Sequence, residues 1–172
     1  KDISSTIETQ QKTKPFSTKE RIERASESRG DSSVWVIKDA EGGVYQWTNN
    51  MERVHVIRQG IPYGYIEKLS ERLNRPVKTI LSLLGIPQTT YNKKKGEHSL
   101  LDSRDSELIV LLTELIDYGI IVFNQEEEKF QRWLKKPNLS LGGNSPESLL
   151  DTTTGIDEVR YCLNRIEYGN FA

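Results

Sequence analysis

Hydrophobic and polar positions follow two different periods along this chain, one before Trp47 and another after Tyr63. Over residues 33–47 the pattern is that of strands. VWVIK and VYQW are rich in β-branched and aromatic residues, and Asp39-Ala40-Glu41-Gly42-Gly43 supplies turn chemistry between them. A two-stranded hairpin is marginal alone, so Trp35 and Trp47 are expected to pack on something else. From Tyr63 the period becomes helical, with Ile66, Leu69 and Leu73 marking a helix over residues 63–73. Pro76, pre-set for a first turn, opens a second helix that carries Ile80, Leu81, Leu83 and Leu84 and stops at Gly85. Pro87 opens a third, running to about Lys95 and closed by Gly96.

Asp102 caps a long helix, with Asp105 and Glu107 in its first turn where the macrodipole favours acids. Leu108, Ile109, Leu111, Leu112, Leu115, Ile116 and Ile120 make an apolar arc wider than one face needs, while Glu107, Glu114 and Asp117 keep a narrow polar stripe. Such a helix is expected to be buried on two sides, in the core and across a dimer seam. A further helix over residues 125–134 ends at Lys135, Lys136 and Pro137. After the loop LSLGGN, Ser145-Pro146-Glu147 reads as a helix start, and a last helix runs from Thr154 to Tyr168, stopped by Gly169. Upstream, residues 1–16 have little to bury and are expected to be disordered without a partner. Residues 17–29 form a short expected helix, with a capping-box pair in Ser17 and Glu20 and a stop at Gly30. The fold class is therefore mainly α. A polar extension with the hairpin covers residues 1–50, a helix-turn-helix and dimerisation domain 51–124, and a small helical domain 125–172.

Composition narrows the chemistry. The single cysteine, Cys162, excludes a disulfide framework or a CxxC zinc site, and two histidines exclude a His-rich metal centre. The longest apolar runs, residues 108–112 and 120–123, fall far short of the roughly 20 residues that span a bilayer. The start, KDISSTIETQQ, lacks an apolar signal core, so a soluble cytoplasmic protein with no membrane partner is expected. No nucleophile, base and orienter assemble from His55, His98 and Cys162, so no enzyme and no cofactor are expected. Net charge is −1 over 172 residues, yet residues 60–100 carry 7 basic against 3 acidic side chains and residues 101–172 carry 7 against 13. A basic middle beside an acidic end points to two surfaces with different partners.

The basic middle holds the sharper motif. Val77–Leu84, a glycine-containing turn at Gly85-Ile86, and residues 87–95 have the form of a helix-turn-helix, whose second helix enters the major groove. Ile80, Leu84, Ile86 and Tyr91 are expected to fill the seam. Gln88, Thr89, Thr90, Asn92 and Lys93 then point outward, and with Lys78, Lys94 and Lys95 they are the candidate contacts to operator DNA. Three lysines at a helix end are also what the helix dipole favours with no nucleic acid present. On the last helix Ile156, Val159, Leu163 and Ile166 form the core stripe, with Cys162 beside them. Tyr161, Asn164 or Arg165, and Tyr168 fall on another side, with the composition of an interface hot spot or of ordinary surface.

The C-terminal residues carry a resemblance. Trp133-Leu134, Pro137-Asn138, Leu141-Gly142-Gly143, Pro146, Leu149-Leu150, Thr152 or Thr153, Gly155, Val159, Leu163 and Arg165-Ile166-Glu167-Tyr168-Gly169, in that order, resemble the toxin-binding domain of the Xre/MbcA/ParS antitoxins. Gly85-Ile86-Pro87 and Thr90 resemble the DNA-binding half of the same family, so the likeness covers about residues 51–172. The ending Asn170-Phe171-Ala172 departs slightly, since a small apolar residue commonly follows the glycine. The resemblance implies a type II antitoxin without activity of its own. Such a protein covers the active site of a RES-domain toxin that destroys NAD, and as a homodimer it represses its own operon. Tyr161, Asn164, Arg165, Glu167, Tyr168, Gly169, Asn170, Phe171 and Ala172 are then the toxin-binding candidates, with Glu167 and the Ala172 carboxylate as mimics of NAD's phosphates. An immunity protein without DNA binding and a stand-alone helix-turn-helix repressor are the competing readings.

Overall fold

The computed structural model describes residues 34–38 and 42–169. The tail 1–16, the helix expected over 17–29, turn residues 39–41, and Asn170, Phe171 and Ala172 lie outside the described residues. The strand-like segments form β1 (Trp35–Lys38) and β2 (Val44–Trp47), paired antiparallel with Trp35 opposite Trp47 and Ile37 opposite Tyr45. Their alternation buries Ile37 and Trp47 and leaves Val36 and Val44 outside. The two indoles stack with centroids 6.3 Å apart.

The next element, α1 (Asn50–Gln59), is one the apolar pattern does not announce, because Val56 is its only buried residue. Its start is written in polar chemistry instead. Asn49 Oδ1 accepts from the Met51 and Glu52 N–H groups, each at 3.0 Å. Glu52 reaches back to accept the Thr48 N–H at 2.7 Å, a bond that holds its carboxyl below the usual carboxylate range. The remaining elements are α2 (Tyr65–Leu73), α3 (Val77–Leu84), α4 (Gln88–Gly96), α5 (Ser103–Val122), α6 (Glu127–Lys135) and α7 (Thr153–Tyr168), with 3-10 turns at Leu139–Leu141 and Pro146–Leu149.

Several boundaries differ from the sequence expectation. Tyr63 stays outside α2 because its N–H donates to Ser99 O, beside a bridge between Pro62 and Leu100. Ser145-Pro146-Glu147 opens a 3-10 turn rather than an α-helix. Helix α7 begins one residue early because Thr152, not Thr153, is the cap: its Oγ1 accepts the Gly155 N–H at 3.0 Å.

Helix α5 is the post on which the rest is hung, with α1, α2, α6 and α7 packed around it. Leu108, Ile109, Leu112, Leu115 and Ile116 are each 5% exposed or less. The broad apolar arc is thus consumed inside one chain, and α5 does not supply the dimer seam expected of it. Helix α6 crosses at Gly119, where a Cβ would stand 2.2 Å from the Phe130 ring. Phe130 in turn meets Phe123 and Trp133, with ring centroids 5.9 and 6.2 Å away. Deeper in, Thr113 donates its hydroxyl to Ile109 O at 2.8 Å, so the Tyr65 hydroxyl, 3.2 Å away, must be the donor to Thr113 Oγ1.

Glu114 does not lie on a solvated stripe. It is 5% exposed and accepts from three elements at once. Trp47 Nε1 donates to it at 2.8 Å, Arg53 Nη1 at 3.1 Å and Arg160 Nη2 at 3.4 Å. Two further pairs tie distant segments, Arg72 with Asp117 and Arg75 with both oxygens of Glu147. The hairpin and both helical segments therefore share one packed unit from residue 32 onward, with no structural division at 50 or 124.

Two substitutions test this arrangement. Glu114→Ala strands two arginines and an indole N–H, and is expected to cost about 3–5 kcal/mol. Gly119→Ala has to displace a packed ring and is expected to cost about 1–3 kcal/mol. Urea denaturation followed by tryptophan fluorescence measures both, and a loss below about 1 kcal/mol for Glu114→Ala would contradict the role given to that carboxylate.

Candidate nucleic-acid and partner-protein interfaces

The first interface is built on a turn. Gly85 adopts the left-handed conformation (φ 68°), so its N–H reaches Ser82 O while the Ile86 N–H reaches Leu81 O at 2.9 Å. This Schellman pattern ends α3 and buries Ile86. Pro87 is extended and starts α4 at once. Ile80, Leu84, Ile86 and Tyr91 are buried between the two helices, as expected.

Gln88, Thr89, Thr90, Asn92 and Lys93 are exposed along α4, and Lys78 is exposed on the first turn of α3. The structure brings Gln88 and Asn92 together, with Gln88 Nε2 donating to Asn92 Oδ1 at 2.9 Å. The three lysines are not equivalent. Lys95 turns back to form an ion pair with Glu67 of α2, with its Nζ 6.0 Å from the Tyr91 ring centroid. The hydrogen bond to Glu67 holds the Lys95 ammonium above its usual range, and burial does the same to the Tyr91 hydroxyl. Lys93 and Lys94 flank Glu97 at 4.0 and 3.8 Å, distances that leave both ammonium groups largely hydrated.

The second interface is the outer side of α7. Ile156, Val159, Cys162 and Leu163 face inward as expected, and Ile166 packs against the same core. Tyr161 is 59% exposed, Tyr168 38% exposed, and Arg165 lies between them in sequence, also exposed, with Nη2 3.1 Å from Cys162 Sγ. Asn164 and Glu167 are half-buried and engaged within the chain, because the Tyr118 hydroxyl of α5 bonds to Asn164 Oδ1 and to Glu167. Gly169 closes the helix in the left-handed conformation, φ 67°.

The approach to α7 is shaped by a loop whose backbone is closed on itself. Asn138 N–H donates to Asn144 O, Gly143 N–H returns to Asn138 O, and Asn138 Oδ1 caps Ser140. Leu141 anchors the loop in the core while Leu139 stands 96% exposed. Between α3 and the second 3-10 turn lies an open cavity of about 350 Å³ lined by Thr79, Ser82, Leu83, Ser145, Glu147, Ser148 and Asp151. It brings neither histidine nor cysteine together, and among the described residues no group of His, Cys, Asp and Glu is placed to hold a metal ion. No described helix is long and apolar enough to cross a membrane.

Fold and faces together define a helix-turn-helix protein with a second helical interaction domain. Residues 52–114 match the antitoxin Xre-like helix-turn-helix domain, and residues 119–169 match the antitoxin Xre/MbcA/ParS C-terminal toxin-binding domain. The chain belongs to the Xre/MbcA/ParS antitoxin family. Among curated proteins it is 27% identical to an Antitoxin Xre of Photorhabdus laumondii over 66% of this chain and 77% of the relative. It is 29% identical to an Antitoxin Xre of Yersinia enterocolitica, covering 69% and 80% of the two chains. A Prs ADP-ribosylating antitoxin of a Sphingobium species is 28% identical, covering 71% and 82%.

Sequence pattern places the outward residues of α4 and α7 but not the Glu114 cluster, which joins residues 61 and 67 positions apart in the chain. It does not single out Leu139 either; the available signal is a bulky apolar residue inside an otherwise polar, glycine-rich loop.

The lysine geometry makes a divided prediction. Lys93→Ala and Lys94→Ala should each flatten the salt dependence of DNA affinity by about 0.9 in log–log slope, the value of one phosphate contact. Lys95→Ala should leave that slope nearly unchanged, because its ammonium is held by Glu67. Mobility-shift titrations at several salt concentrations read the difference, and an equal drop for all three lysines would contradict it.

Proposed function

We propose that this antitoxin neutralises a RES-domain toxin that consumes NAD, by covering the toxin's active site with the outer face of α7, and that it represses its own operon through α4. The observation that carries the reading is the order of two matched domains, helix-turn-helix at 52–114 and toxin-binding at 119–169, on a fold that leaves α4 and α7 open on their outer sides. The name of the Sphingobium relative supports an NAD-using partner, since ADP-ribosyl groups are taken from NAD.

Tyr161, Arg165 and Tyr168 are the proposed anchors, large side chains that bury area at little entropic loss. Leu139 on its closed loop adds an apolar contact. Gly169 turns the chain out of α7, and Asn170, Phe171 and Ala172 follow it toward the partner in this reading. Asn164 and Glu167 take a supporting part, since Tyr118 engages both; the phosphate-mimic role is left to the chain's end rather than to Glu167. The protein acts as a homodimer, so that two α4 helices meet two half-sites about one helical turn apart, and the contact lies elsewhere than the buried face of α5.

The test is NAD consumption by the RES-domain toxin encoded beside this chain, measured with purified antitoxin at matched concentrations. Wild type is expected to abolish turnover. Tyr161→Ala and Arg165→Ala should each weaken the complex by about 1–3 kcal/mol, roughly tenfold to a hundredfold, with operator binding unchanged. Full NAD consumption in the presence of excess wild-type antitoxin would overturn the reading, and equal inhibition by wild type and both variants would move the contact off α7.

A further inference from the structure

The first turn of α4 carries a pair of carboxamides whose geometry assigns a base. We propose that Gln88 reads an adenine in the major groove and that Asn92 holds the Gln88 carboxamide in its reading position. This rests on α4 being the DNA-recognition helix.

Gln88 is the first residue of α4, exposed, and base edges are read by the N-terminal residues of the second helix in such motifs. Adenine presents an acceptor, N7, beside a donor, the N6 amino group, and a carboxamide matches that pair with one N–H and one oxygen. A solvated glutamine has three freely rotating side-chain bonds, and most of its conformers offer a base nothing. Here Gln88 Nε2 donates to Asn92 Oδ1 at 2.9 Å, one helical turn on, which ties the carboxamide to the helix surface.

The hydrogen-bond count then decides the ligand. Nε2 has two hydrogens; one is taken by Asn92, and one remains beside the free Oε1 lone pairs. That is the complement of adenine N7 and N6. With both amides turned over, Asn92 Nδ2 donates to Gln88 Oε1, and Gln88 still offers one N–H and one lone pair. Guanine presents two acceptors, N7 and O6, so Oε1 would face O6 without a proton between them. Arginine or lysine at this position would favour guanine, but the lysines of α4 sit at its other end, one bound by Glu67 and two beside Glu97. Thr89 and Thr90, exposed beside Gln88, have the reach for phosphate or a thymine methyl and no bidentate code of their own.

The experiment uses the full chain and a pool of DNA duplexes randomised at their centre. Sites selected by wild type are expected to share an A·T pair at one position. Gln88→Ala should lose the preference at that position alone and keep the rest of the motif. Asn92→Ala should broaden it, whereas Asn92→Asp, which keeps the Oδ1 acceptor, should retain the preference while binding more weakly overall. In the selected duplex, 7-deazaadenine at that position removes only the N7 acceptor, and should weaken wild type about tenfold while leaving Gln88→Ala unaffected. A motif unchanged in Gln88→Ala, or an equal loss from 7-deazaadenine in both proteins, would overturn the adenine reading and spare the DNA-binding one. If wild type enriches no sequence, both fall together. Thermal melting confirms that each variant of these exposed positions is folded.

Discussion

A carboxylate buried in a helical core is stable only where enough donors meet it, and Glu114 meets that condition with three donors from three parts of the chain. Trp47 arrives from the hairpin, Arg53 from the capped helix α1, and Arg160 from the toxin-binding segment. Each donor must be in place for the acid to stay charged inside, so the burial of one side chain fixes the positions of three elements. The two arginines are about one-third exposed and keep part of their hydration, which lowers the penalty of bringing them to the site. The segment before residue 50, outside the matched family domains, is thereby made a structural member of the helix-turn-helix unit rather than an appendage.

Much of the fold is legible in the sequence because it is amphipathic. The periods of Ile66-Leu69-Leu73 and Ile156-Val159-Leu163 each imply a face, and those faces are buried. Subtracting the buried stripe of α7 leaves Tyr161, Arg165 and Tyr168 outside, and that remainder is the candidate partner surface. Helix α1 escapes because its apolar content is too thin to register; its cap, Asn49 with Glu52, is the available signal. Glu114 is misplaced by its pattern for a deeper reason. A helical wheel assigns an acid to water, and only partners distant in sequence reverse that assignment. The long apolar arc of α5 likewise suggests a surface for a second chain, whereas this chain's own helices cover it.

The two interfaces differ in how they are held. On α4 the cationic end is partly satisfied at home, Lys95 by Glu67, so charge supplies less attraction to phosphate than a count of lysines implies. The polar N-terminal turn is left to supply discrimination. On α7 the inward and outward roles are interleaved residue by residue, with Asn164 and Glu167 turned to Tyr118 and their neighbours turned to solvent. A rigid, inward-tied helix presents its exposed aromatics with little freedom left to lose on binding.

Helix α5 contributes to both matched domains, which meet within it with no linker between. At 20 residues it is about 30 Å long, a stiff rod rather than a tether. Every residue inserted into such a rod rotates the chain beyond it by roughly 100°. The bearing of the toxin-facing helix relative to the DNA-facing one is therefore quantised by chain length, and evolution can lengthen this protein in the 138–144 loop or ahead of the hairpin but not within its central rod.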